Sequence, residues 1–344
     1  MKKTGLVLLV LLLALAPAAV VLAGGGGQAA AAAERHAFIF KNTGNPYGDK
    51  QMEGFKAGIE EQGFEAILRA PDVPTAEAQI QIIEQLITQQ VKSITITGND
   101  YAALQPALTR ARSAGIAVLS ADSAVNPASR VTHINQADSE MIGRTLIQAA
   151  YDMADGAGDI AILSATSQAS NQNLWIEWMQ KELAENASKY ANLKLVRVAY
   201  GDDLRDKSVS ETEALLQSFP NLEVIIAPTT VGIAAAGRVI TDRGLIGQVK
   251  VTGLGLPSEM AEYIENGACP YMFLWNPIDV GYLASYAAVV ASKGTLTGAA
   301  GQSFAAGRLG SFDVVPASDG GTEVLLGAPF KFEPSNIAEW KTVY

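Results

Sequence analysis

Between Ala37 and Leu254 the chain runs twice through one order of elements: strand, polar loop, helix, strand, helix, strand, loop, helix, strand. A chain that carries this unit twice is constrained to two matching open-sheet lobes, with room for a ligand between them. The first copy starts with AFIF (37–40), the loop KNTGNPYG and a helix with Met52, Phe55 and Ile59 on one face. It continues through EAIL (65–68), a helix carrying Ile83, Leu86 and Ile87, SITIT (93–97) and a helix leading into AVLSAD. The second copy opens with DIAIL (159–163) and the loop SATSQASNQN, followed by a helix with Trp175, Met179 and Leu183. It closes with LEVIIAP, an alanine-rich helix and VKVTGLG (249–255). Short apolar runs rich in Val and Ile, bounded by polar loops and alternating with helices of 3.6 period, read as parallel buried strands. The expected fold class is α/β: two doubly wound open-sheet lobes joined by a multi-strand hinge.

In open sheets of this kind ligands sit beyond the carboxyl ends of the strands. The loops that follow strands are therefore the candidate site, namely residues 41–48, 98–100, 121–123, 166–173 and 228–230. They carry Lys41, Asn42, Asn45, Tyr47, Asn99, Asp100, Asp122, Gln172, Asn173, Thr229 and Thr230, with Asn276, Trp175 and Trp275 close to them in the expected fold. Amides and carboxylates accept from and donate to vicinal hydroxyls, and an aromatic face covers the C–H side of a sugar ring. The set points to a small neutral polyol. Lys41 and Asp122 both follow first-lobe strands and are expected to pair, because an isolated charge in a closed cleft is costly. Taken singly, Asn42, Thr43, Ser170 and Thr229 read equally well as loop or cap residues, and Trp175 as core.

Reactive chemistry finds no footing in this chain. The two histidines, His36 and His133, stand in no nucleophile motif and read as structural; the one cysteine, Cys269, lies beside Gly267 and Pro270 and also reads as structural. Clustered metal-ligand spacings and a phosphate loop are absent from the sequence, and Gly253-Leu254-Gly255 is followed by Ser258 where a dinucleotide fingerprint needs glycine. No catalytic residue, metal or cofactor is expected. A net charge of −10 disfavours nucleic acid and anionic membrane surfaces as partners.

The chain begins MKKTG and runs on through an apolar stretch with a proline to Val21-Leu22-Ala23, the form of a secretory signal peptide over 1–23. Residues 24–34, rich in glycine and alanine, read as a flexible leader. Glycine stands where a lipoprotein would carry its lipidated cysteine, so the product is expected free in a periplasm. Element order assigns 35–136 and 278–309 to the N-terminal lobe, and 137–277 and 310–344 to the C-terminal lobe. The helix from Val280 to Ser292, apolar nearly all round, is expected to pack back into the first lobe.

These residues and motifs resemble the pentose and hexose class of periplasmic substrate-binding proteins of ABC importers, the type I fold of that group. KNTGNPYG is similar to the family's asparagine-proline-aromatic loop, with Asn45 and Tyr47 at ligand-contacting positions and Gly48 in place of a second aromatic. AFIFK, VLSADS, HINQ, NQNLW, VIIAP and FLWNP are most like the rhamnose-binding and autoinducer-2-binding branch. The resemblance implies that Lys41, Asp122, Gln172 and Pro228 match ligand-binding positions of the autoinducer-2 binders. The chain departs from them with Asn171 and Asn276 in place of two aspartates and Thr230 in place of an alanine. Replacing acceptor-only carboxylates by amides disfavours a heavily hydroxylated furanose and favours a deoxyhexose such as rhamnose. The implied ligand-binding set is Lys41, Asn45, Tyr47, Asp122, Asn171, Gln172, Pro228, Thr230 and Asn276, with Asn42, Asn99, Asp100, Trp175 and Trp275 as further candidates. The expected protein is a monomer that passes one small neutral sugar to an ABC permease in the inner membrane. The alternative is an autoinducer-2 or sugar receptor that feeds a signalling system.

Overall fold

The structure is a computed structural model that describes residues 33–344. The expected signal peptide and residues 24–32 of the expected leader lie outside the described residues.

The first copy folds as β1 (Arg35–Ile39), α1 (Pro46–Glu61), β2 (Glu65–Arg69), α2 (Ala76–Thr88), β3 (Ser93–Ile96), α3 (Gln105–Ser113), β4 (Ala117–Ala121) and β5 (His133–Asn135). These strands pair in parallel in the order β5-β4-β3-β1-β2. The sheet is covered on both faces, and the two-residue period of β1 shows it: Ala37 and Ile39 join a core with Ile83, Leu86 and Leu108, while Phe38 and Phe40 point into the other core.

The second copy folds as α4 (Ser139–Met153), β6 (Gly158–Ser164), α5 (Ser170–Glu185), β7 (Leu193–Tyr200), α6 (Arg205–Ser218), β8 (Leu222–Ala227), α7 (Thr230–Asp242), β9 (Lys250–Gly253), α8 (Pro257–Glu265) and β10 (Met272–Leu274). Its parallel sheet has the order β7-β6-β8-β9, and an isolated bridge from Leu254 to Phe273 adds β10 beside β9. β8 and the inner part of β6 are almost wholly buried, which explains the unbroken apolar runs IIA and IAIL.

The chain then returns to the first sheet. Helix α9 (Pro277–Ser292) buries Val280, Leu283, Ala284, Ala287 and Ala288 and lies against α1. The two helices meet backbone to backbone: a Cβ on Gly54 would stand 1.9 Å from the Ile278 carbonyl oxygen, and one on Gly281 would stand 1.9 Å from that of Gln51.

Past residue 309 the structure departs from the expectation that 310–344 lies wholly in the second lobe. The strand Thr322–Leu325 pairs in parallel with β5, and Val315–Pro316 pairs with it in turn, so both extend the first sheet. Only then does Phe330–Phe332 pair with β10 of the second lobe. The physical reason is the open edge of β5, whose unpaired backbone groups are satisfied by a further strand. The chain thus passes between the lobes after β5, after β10 and after Leu325.

Candidate functional site

A cavity between the lobes is lined by first-lobe residues Phe40, Lys41, Asn45, Tyr47 and Asp122. Asn171, Gln172, Trp175, Asp203, Pro228, Thr229, Thr230, Leu254, Leu274 and Trp275 complete the lining. Eight of the nine residues of the sequence-derived set are here: Lys41, Asn45, Tyr47, Asp122, Asn171, Gln172, Pro228 and Thr230. Trp175 and Trp275 join them.

Asn276 does not line the cavity. It is the N-cap of α9, and its Oδ1 accepts from the Ile278 N–H at 2.9 Å. A cap position favours asparagine and aspartate alike, so residue type alone could not separate the two roles. Asn42, Asn99 and Asp100 also stand outside. Asn99 donates through Nδ2 to the Lys41 carbonyl at 2.8 Å and so supports the loop from behind. Asp100 caps a turn by accepting from the N–H groups of Ala102 and Ala103, and Asn42 donates to the Thr43 carbonyl.

One wall is aromatic. Trp175 and Trp275 lie 5.9 Å apart between ring centroids, Trp275 and Tyr47 6.4 Å, and Tyr47 and Phe40 6.4 Å. The Trp275 indole N–H donates to the Tyr47 hydroxyl at 2.6 Å, and Gln51 donates to the same oxygen at 3.1 Å. Trp175 Nε1 is buried and has no hydrogen-bond partner among the described residues. Sequence reasoning left an aromatic missing at Gly48, and the structure explains it. A Cβ at 48 would meet the Phe40 ring at 2.2 Å, so glycine there is the condition for Phe40 to fill this part of the wall.

The polar side has a fixed orientation. Asn45 caps α1 through Oδ1, which accepts from the N–H groups of Tyr47 and Gly48. Gln172 Oε1 accepts from Ser164 Oγ at 2.8 Å and the Ala165 N–H at 2.7 Å, so only its amino group is left to donate to a ligand. Asn171 Nδ2 donates to Asp122 Oδ1 at 2.8 Å across the cleft. An aspartate at 171 would lack that donor and would set two carboxylates in contact. Asn45, Tyr47, Asn171, Gln172, Thr229 and Thr230 lie at or beside the N-termini of α1, α5 and α7, whose dipoles favour acceptor groups in the cavity.

Asp122 is almost fully buried and holds φ +63°, a left-handed backbone that aspartate tolerates better than most residues. Burial pushes its carboxyl up to about 6; Lys41 and the Asn171 hydrogen bond pull it back, and Asp203 pushes it further up. The expected contact pair between Lys41 and Asp122 does not form: no carboxylate of the described residues lies within 4.0 Å of Lys41, which acts on Asp122 through space. Burial, followed by the Asp122 charge, holds the Tyr47 hydroxyl well above its ordinary range.

The other candidates for chemistry are internal. His36 Nδ1 pairs with Ser93 Oγ at 2.8 Å and His133 Nδ1 with Ser120 Oγ at 2.9 Å; burial lowers the two rings to about 4 and about 3, so both are neutral in the fold at pH 7. Cys269 is buried and free, and burial pushes its thiol far up. Among the described residues no group of three or more His, Cys, Asp or Glu is placed to hold a metal ion, and no helix is long and apolar enough to cross a membrane.

The family model described as "Periplasmic binding protein domain" matches residues 36–296. A solved ABC transporter solute-binding protein from Clostridium phytofermentas with bound L-rhamnose is 51% identical, covers 91% of this chain and 99% of its own, and superposes with a TM-score of 0.88. A sugar ABC transporter structure from Actinomyces odontolyticus is 36% identical, with 89% and 97% of the two chains covered and a TM-score of 0.70. The curated D-ribose/D-allose-binding protein of Pseudomonas aeruginosa is 26% identical over 64% of this chain and 70% of its own length.

Proposed function

The chain belongs to the periplasmic binding protein domain family, and from that membership we propose that it is the sugar-binding component of an ABC importer, with L-rhamnose as its ligand. The carrying observation is an inter-lobe cavity in which buried carboxylates, amides and threonines face a wall of four aromatic rings. Neutral pyranoses match this division: hydroxyls at the ring edge meet the polar groups, and the C–H face meets the indoles. The choice of L-rhamnose is supported by the ligand of the 51% identical relative.

Lys41, Asn45, Asp122, Asn171, Gln172 and Thr230 form the polar contacts in this reading, and Trp175 Nε1 supplies a donor that has no protein partner. Because the hydrogen-bonding groups belong to two lobes, only the shut form satisfies the sugar completely, so binding shifts the population toward closure. The protein acts in the periplasm as a monomer, transforms nothing, and hands its cargo to a membrane permease. Both solved relatives described above are ABC transporter proteins, which favours import over the signalling alternative.

Isothermal calorimetry on the purified protein tests the assignment. L-rhamnose is expected to bind with micromolar or tighter affinity, and the absence of heat with L-rhamnose, related deoxysugars and pentoses would remove it. Autoinducer-2, titrated in the same series, is expected to bind at least tenfold more weakly.

A further inference from the structure

Five non-glycine residues among those described have a left-handed backbone: Gln90, Asp122, Asp155, Asp202 and Asp203. Gln90 and Asp155 are exposed, and Asp202 is partly exposed and paired with Lys207. The two that are buried, Asp122 and Asp203, line the same cavity from opposite lobes. Backbone of this kind at non-glycine residues persists where the surroundings demand it and gathers at ligand sites.

Asp203 lies in the loop between β7 and α6, a loop outside the five stretches that sequence reasoning selected. It is 8% exposed. Its Oδ1 accepts from the Thr229 hydroxyl, and among the described residues no Lys, Arg or His nitrogen lies within 4.0 Å of it. Thr229 stands at the N-cap position of α7 without a side-chain cap bond, and its hydroxyl donates to Asp203. Asp122 is in the same condition, with one neutral amide donor to Oδ1 and no contact cation. Each carboxylate therefore has one side-chain donor, to Oδ1, and its second oxygen receives no side-chain hydrogen bond from the described residues.

Resting on the reading of the cavity as a sugar site, we propose that Asp203 is a ligand-contacting carboxylate which, with Asp122 from the opposite lobe, accepts hydroxyl protons from the two sides of one bound sugar. The like charges oppose each other across the cleft, and a sugar that donates to both offsets that repulsion with charge-assisted hydrogen bonds. The sugar must accordingly carry hydroxyls on two sides of its ring.

The test is calorimetry on wild type and Asp203→Asn with L-rhamnose and its monodeoxy analogues, with circular dichroism to confirm folding. Asparagine keeps the oxygen that Thr229 reaches, so the loop is retained while the charge is lost. Asp203→Asn is expected to bind L-rhamnose at least tenfold more weakly. One analogue is expected to bind wild type at least tenfold more weakly than L-rhamnose, yet to lose no further affinity in the variant, as a direct contact requires. Equal binding of L-rhamnose by both proteins, or the same loss for every analogue, overturns the role of Asp203 and leaves the sugar site standing. A wild type that binds no sugar overturns both. Crystals of the wild-type complex give a check without a variant: a sugar with no hydroxyl within about 3.2 Å of an Asp203 oxygen removes the proposal.

Discussion

Asp122 concentrates the residue-scale chemistry. Asp122→Ala is expected to weaken L-rhamnose binding at least tenfold, the loss of one charge-assisted hydrogen bond of about 1.5–3 kcal/mol; a dissociation constant unchanged in calorimetry would place the ligand elsewhere. Burial of this carboxyl also makes folding stability depend on pH. Its folded value, about 6, lies above the ordinary 3.8, so the folded state holds the proton more tightly than the unfolded chain. The contribution is fully present below about pH 4 and is lost as pH rises through 6, on the order of 3 kcal/mol in all. Asp122→Asn, which imitates the neutral form, should therefore melt higher than wild type at pH 8 and at the same temperature near pH 4. A variant that melts lower at both pH values contradicts this sign. A sugar that donates to the carboxylate needs it ionised, so affinity is expected to fall between pH 7.5 and 5, and calorimetry at the two pH values reads it directly.

At the scale of elements, the α1–α9 contact ties a segment near the end of the chain to one near its start. Gly54→Ala and Gly281→Ala each gain about 1 kcal/mol of helix propensity. Each also drives a methyl to 1.9 Å from a backbone carbonyl oxygen, which no side-chain rotation relieves. Overpacking of about 1–3 kcal/mol or more outweighs the propensity, so both variants should melt several degrees lower in a thermal scan. The expected strands and helices were legible where burial is two-sided: IIA in β8 and IAIL in β6 have no polar interruption. β7 was not located in the sequence because it is an edge strand, with Lys194 and Arg197 exposed among partly buried neighbours. Losing the strand meant losing the loop behind it, and with it Asp203. Asn276 caps α9 outside the cavity lining, and its residue type alone could not separate that place from a sugar contact, since both call for the same side chain.

For the whole molecule, three chain passages between the lobes restrict motion to a hinge, and the ligand is the cross-lobe link. Saturating L-rhamnose is expected to reduce the radius of gyration in small-angle scattering, and at one hundred times the dissociation constant to add about 2.7 kcal/mol of stability. An unchanged radius and melting temperature would speak against closure on the sugar. By itself the sequence determined the doubly wound architecture, twice over, and most of the loops that meet at the cleft, because hydrophobic period and strand-end polarity are local properties of the chain. Three matters were decided only by the tertiary structure. Thr322–Leu325 joins the first sheet because an open strand edge there needs a partner. Phe40 stands where the loop lacks an aromatic because Gly48 clears the space. Asp122 and Asp203 share one cavity because the folded lobes bring together residues that nothing in their local sequence relates.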